Sequence, residues 1–131
     1  MIPPVSPSNA DIVRSMWAAY ARRGLHAVLD FAAPDAEWVP WSAGGRRFRS
    51  TAEYRAYLEE MDRRHEIVEA TLGEIREYGE SVVVTGRLRL RTQEGISDTT
   101  MHWVHRLRDG EVVYTASYPR LQQAMDAAGL G

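Results

Sequence analysis

The chain has 131 residues, 44% of them hydrophobic, and carries 16 Lys+Arg against 18 Asp+Glu for a formal net charge of -2. That length suits one domain with one core, and the near balance of charge provides no field to draw nucleic acid. With no cysteine, disulfides, thiolate nucleophiles and thiolate-bound metals are excluded.

Residues 1–8, rich in proline and serine, read as a flexible lead to a single domain over residues 9–131. They have neither the basic start nor the apolar stretch of a signal peptide, and no segment approaches membrane-spanning length, so a cytoplasmic protein with no membrane partner is expected. Asn9 reads as an N-cap, and Ile12, Val13, Met16, Trp17 and Tyr20 follow at helical spacing until Gly24 closes the helix. A second short helix carries Leu25, Val28, Leu29 and Ala32 on one stripe and ends at Pro34. "DAEWVPW", residues 35–41, alternates as a strand, with Ala36, Trp38 and Pro40 on one face and Asp35, Glu37 and Val39 on the other.

"SAGGRRFRS", residues 42–50, reads as a solvated loop, although its arginines could form a lid that greets an anion. "STAE" at 50–53 has the form of a capping box, and Tyr54, Tyr57, Leu58 and Met61 make the buried stripe of the helix behind it. Beyond that helix the period changes from 3.6 to 2. Strands are expected over 67–77, 80–92, 97–108 and 111–119, followed by a helical turn or two in "LQQAMDAAGL". Helices first and a run of strands after them argue α+β, with three N-terminal helices packed on one face of a curved, mainly antiparallel sheet. Such a sheet can curl to leave a cavity.

Asp109-Gly110 is a two-residue hairpin signal, because Gly adopts the positive φ that such turns require. Counting outward through unbroken pairs sets Arg108 against Glu111, Leu107 against Val112, His105 against Tyr114, Trp103 against Ala116 and Met101 against Tyr118. Alternation then places all of these except Arg108 and Glu111 on the inner face, with His102 on the outer one. A strand thus separates two imidazoles that a helix would have joined into a metal pair, so no metal site is expected. On "SVVVTGRLRLRT", Val82, Val84, Gly86, Leu88 and Leu90 fall inward, while Arg87, Arg89 and Arg91 form an outer ladder read as a solvated or dimer-facing surface.

The pieces "DIVRSMWAAYARRGLHAVLDFAAPDAEW", "STAEYRAYLEEM", "YGESVVVTGRLRLR", "HRLRDGEVV" and "SYPRLQQAMDAAGL", in this order and spacing, resemble the SnoaL-like branch of the nuclear-transport-factor-2-like superfamily. The resemblance implies a cone-shaped, cystatin-like α+β barrel with a deep apolar pocket, often a homodimer through the outer sheet face. It covers polyketide cyclases, ketosteroid isomerases, epoxide hydrolases and proteins that only bind, so the fold does not name a reaction. Under it, the ketosteroid isomerase base falls at Pro40, the oxyanion-hole tyrosine at Met16 and the second acid near Trp103, which disfavours that chemistry. The carboxylates and arginine of the epoxide hydrolases find no clear inward counterpart; Glu74 points inward by strand parity, but its place near the strand end reads as solvated. The cyclase histidine falls nearest His102, and its acid near Ser117 or Tyr118.

What the inner face retains is His105, with Tyr20 and Tyr114 as candidate hydrogen-bond donors. A desolvated imidazole can act as a general base and a phenol can polarise a carbonyl; the simpler reading is a core histidine bonded to a phenol or a backbone carbonyl. Met16, Trp38, Trp41, Tyr54, Trp103 and Tyr118 are the candidate ligand-contacting residues. The expected occupant is a small hydrophobic molecule, with no cofactor. Three functions stay open: a cofactor-independent cyclase or isomerase acting on a polyketide-like or other hydrophobic carbonyl compound, a ligand-binding module, and a dimeric interaction protein with a self-filled cavity. A cavity below about 300 Å³ would argue against a drug-sized ligand.

Overall fold

Ser8, rather than Asn9, caps the first helix: its hydroxyl accepts from the Asp11 amide at 3.1 Å, and α1 runs Asn9–Arg23. The computed structural model describes residues 7–130, so most of the expected flexible lead lies outside the described residues. Gly24 ends α1 at φ 92°, a backbone state that side chains resist. Leu25–Phe31 then forms a 3-10 helix, and the chain is already extended at Ala32, so β1 spans Ala32–Val39 with Pro34 inside it. Proline is tolerated there because β1 lies at the sheet edge and its pairing is interrupted between Ala32 and Glu37.

The segment expected to be a solvated loop is pinned at its far end. After a 3-10 turn at Trp41–Ala43, Phe48 is buried and exchanges two backbone hydrogen bonds of 2.8 Å with Trp38. Its phenyl ring belongs to the core, and Arg46 lies over it. Next comes α2, Thr51–Arg63, capped by Ser50 through the Glu53 amide at 3.1 Å, while the Glu53 carboxylate reaches back to the Arg49 amide at 2.7 Å. Tyr54, Leu58 and Met61 are buried along its inner stripe.

Four more strands follow: β2 (Ile67–Tyr78), β3 (Ser81–Thr92), β4 (Gly95–Arg108) and β5 (Glu111–Tyr118). The sheet order is β1-β5-β4-β3-β2, parallel only between β1 and β5. β1 and β2 remain on opposite edges, so the expected barrel is an open one. Inner-face residues of β3 and β4, among them Val82, Val84, Leu88, Met101, Trp103 and Leu107, pack with α1 and α2 into the main core. On the outer face, α3 (Leu121–Ala127) sets Ala124 against Val83 and Val104.

Two β-bulges decide which side chains reach the interior. The first, at Gly73, shifts the β2–β3 register between Leu72 and Glu74 and bends the strand. At Gly86 opposite, a Cβ would overlap the Thr71 carbonyl, so only glycine permits this approach. The bulge overturns the expected inward parity of Glu74: Ile75 packs toward the core, whereas Glu74 is exposed and bonded to Arg76 at 2.9 Å. On the outer ladder, Arg87 pairs with Asp98 at 2.7 Å. Among the described residues, no helix is long and apolar enough to cross a membrane.

Candidate functional site

The second bulge lies just past the Asp109-Gly110 turn and corrects the expected hairpin. Arg108 faces Glu111 and Leu107 faces Val112, but the register then slips, and Arg106, not His105, faces Tyr114. From that point His105 pairs with Thr115, Trp103 with Ser117 and His102 with Tyr118. A slip of one residue moves every later side chain to the other face. Tyr114 and Tyr118 therefore leave the interior, join their hydroxyls at 2.9 Å on the outer face beside α3, and place Tyr114 under the Arg106 guanidinium.

Between α1, α2 and the inner sheet face lies a cavity of about 80 Å³. Met16, Trp38, Trp41, Tyr54 and Trp103, the remaining candidate contact residues, line it, as do Tyr20 and His105. Thr115 and Ser117 line it as well, in the places expected for Tyr114 and Tyr118. The local sign of this exchange is the adjacent apolar pair Val112-Val113, where strict alternation would place a polar residue. Among the described residues, no Asp, Glu, Lys or Arg lines the cavity.

His105 is 2% exposed. Its Nε2 lies 3.2 Å from the Trp17 indole Nε1, which can only donate, so Nε2 must be the unprotonated acceptor. Nδ1 then holds the hydrogen and donates to Thr115 Oγ1 at 2.9 Å. Burial pushes the imidazole pKa down to about 3, because the low-dielectric interior disfavours its cation. The result is a neutral imidazole with both nitrogens occupied, held by an indole and a hydroxyl rather than by the phenol or carbonyl expected.

Tyr20 is equally committed. Its hydroxyl donates to Val68 O at 2.7 Å and accepts from Ala70 N at 2.9 Å, fastening α1 to the edge strand β2. Burial and the nearby Glu69 charge push its pKa up, against the opposing Ala70 hydrogen bond. Around these groups, Trp17 and Trp103 meet edge to face with ring centres 4.7 Å apart. Trp38 stacks on Tyr54 at 4.4 Å and donates its indole N–H to Thr51 at 3.3 Å.

Val39, Pro40, Trp41 and Ser42 complete the wall at the end of β1, where the Trp41 amide donates to Ser117 Oγ at 2.7 Å. Trp41 is 41% exposed and so stands at the mouth. Beside it, and sharing Ser42, a shallower polar recess of about 480 Å³ lies between the 42–46 loop, the end of α2 and the β3–β4 turn.

The other histidines lie elsewhere. His102 is buried on the outer face with Nδ1 2.9 Å from Thr85 Oγ1, and burial lowers its pKa. His26 bonds Asp62 at 2.9 Å on the surface, and His65 is exposed. Among the described residues, no three His, Asp or Glu side chains gather as metal ligands.

Comparison with known proteins places this geometry. Residues 13–115 match the family model of the SnoaL-like domain. No curated protein sequence matches the chain. Among solved structures, a nuclear-transport-factor-2-like protein of unknown function from Burkholderia pseudomallei is 24% identical with a TM-score of 0.72, covering 92% of this chain and 97% of its own. A nuclear-transport-factor-2-like protein from Burkholderia thailandensis gives 21% identity and a TM-score of 0.75 over 92% of this chain and 98% of its own. TerC, co-crystallised with polyporic acid, gives 20% and 0.71 over 90% and 95%. At these identities the likeness is one of fold.

Proposed function

The chain belongs to the SnoaL-like domain family, and from that premise we propose that it binds a small, mainly apolar molecule in the cavity beneath α1 and α2, without using His105 as a base. One observation carries this reading: the wall is mainly aromatic and aliphatic with a few hydroxyls, has no carboxylate among the described residues, and holds one imidazole whose two nitrogens are already bonded. A general base needs a lone pair within reach of the proton it removes. His105 has given its lone pair to Trp17.

The size of the cavity limits the ligand. About 80 Å³ is below the roughly 150 Å³ of an engineered cavity that takes benzene and the ~300 Å³ at which drug-sized sites begin. The enclosed part thus accepts the end of a molecule, and the remainder passes Trp41 at the mouth. A fold relative crystallised with polyporic acid supports reading this interior as a place for organic ligands.

Tryptophan fluorescence tests the reading, since Trp17, Trp38, Trp41 and Trp103 all line the cavity. Titration with cyclopentane and n-hexane, which are non-fluorescent and small or narrow enough for one end to enter, should give saturable quenching or shifts in the native protein. The same titration of Ala70→Phe, which fills the cavity from β2, should give none. Equal responses from both proteins, or none from the native one, would overturn the proposal and favour a cavity closed by its own side chains.

A further inference from the structure

Three hydroxyls of the cavity wall retain a hydrogen without an acceptor among the described residues. Tyr54 is 6% exposed, its ring held between Trp38 at 4.4 Å and Phe48 at 5.8 Å, yet its hydroxyl forms no hydrogen bond there. Nor is that oxygen fully enclosed, since no fully enclosed side-chain nitrogen or oxygen lacks a partner among the described residues, and Tyr54 is one of the residues that line the cavity. Ser117, 9% exposed, accepts from the Trp41 amide and keeps its own hydrogen. Thr115 is placed likewise by His105.

The orientation of Thr115 follows from a chain of forced choices. Indole only donates, so His105 Nε2 accepts; Nδ1 therefore donates, and Thr115 Oγ1 accepts. Its hydroxyl hydrogen is left over. Ser117 and Thr115 each have one lone pair already used, which makes hydrogen donation their main spare capacity. Burial pushes the Tyr54 pKa up, so its phenol remains a donor throughout the neutral range.

Charge narrows the class further. Among the described residues, neither a cation nor a carboxylate lines this cavity, so an ionised ligand end would lose its water without a counter-charge. We propose that the cavity selects a neutral molecule presenting a carbonyl-type oxygen, as in a ketone, aldehyde or quinone, and that Tyr54 is the residue that recognises it. Ser117 and Thr115 are the auxiliary donors, at the mouth and beside His105. This assignment rests on the small-molecule reading above and adds the polar half of the ligand to it.

The test uses cyclopentanone and methylenecyclopentane, which share a ring and differ by replacing the carbonyl oxygen with a methylene group. Their affinities are measured by tryptophan fluorescence, with ligand-observed NMR as a check, for the native protein and Tyr54→Phe. The native protein should prefer the ketone by roughly three- to tenfold, the range of one net hydrogen bond. Tyr54→Phe should bind the alkene unchanged and lose most of the preference. Its melting temperature should stay level or rise, because the deleted hydroxyl has no protein partner. Equal binding of both probes to the native protein, or an undiminished preference in Tyr54→Phe, overturns the assignment while leaving an apolar site standing. If neither probe binds, the small-molecule reading fails and the assignment fails with it.

Discussion

His102 and His105 stand on opposite faces of β4, each with Nδ1 2.9 Å from a threonine hydroxyl on a neighbouring strand, Thr85 outside and Thr115 inside. Both are buried, at 8% and 2% exposed, and burial lowers the pKa of both. They differ at the other nitrogen. His105 Nε2 is filled by the Trp17 indole, whereas His102 Nε2 has no hydrogen-bond partner among the described residues. A histidine beside a cavity is therefore no base by position alone, because what decides its chemistry is whether a lone pair is left over. His105 is the inner anchor that ties α1 to β4 and β5; His102 is held at one nitrogen only, on the outer face.

The largest expected effect sharpens that contrast. His105→Ala strips buried partners from Trp17 and Thr115 and leaves a hole, for a loss of about 3–4 kcal/mol; His102→Ala should cost nearer 1 kcal/mol. Urea unfolding of both variants measures the difference, and equal losses would erase the distinction between the faces.

A pH series probes the same inequality. His105 has a folded pKa of about 3, against ~6.5 in the unfolded chain. The unfolded state therefore takes up the proton first. The stability tied to this group is complete above about pH 6.5 and falls as pH drops toward 3, with a limiting slope of ~1.4 kcal/mol per unit, or about 2 kcal/mol by pH 5. His105→Gln should flatten the decline between pH 6.5 and 5, and His102→Gln should leave most of it. An unchanged slope in His105→Gln would show that another group governs this range.

The smallest effect compares two tyrosines once expected to share the interior. Tyr20→Phe unpairs Val68 O and Ala70 N, for about 1–2 kcal/mol, whereas Tyr114→Phe breaks one half-buried link to Tyr118 worth about 0.5 kcal/mol. Thermal unfolding should rank them in that order, and the reverse order would put the stronger polar fastening on the outer face.

Much of this was legible beforehand where the information is local. Period and capping located α1, α2 and the strands to within a few residues, and strand parity sent Val82, Val84 and Leu88 inward because the pleat repeats every two residues. Met16, Trp38, Tyr54 and Trp103 lie on such stripes and reach the cavity. Pro34 misled, since an edge strand accepts a proline that would end a helix. Phe48 was hidden among arginines, and its burial depends on a bridge to Trp38 that no window of neighbouring residues records.

By itself, then, the sequence determined the α+β order, the faces of β3 and the inward turn of His105, because each follows from regular geometry over short spans. The chemistry of His105, by contrast, depends on a contact between segments far apart in the chain. Its partner Trp17 lies 88 residues away, and that contact sets the tautomer, occupies the lone pair and directs the Thr115 hydroxyl. Tertiary pairing likewise exchanged Tyr114 and Tyr118 for Thr115 and Ser117, since a bulge needs one extra residue and no distinctive side chain. The polar character of the cavity thus rests on two events that carry almost no local signature: one slipped register and one contact between distant rings.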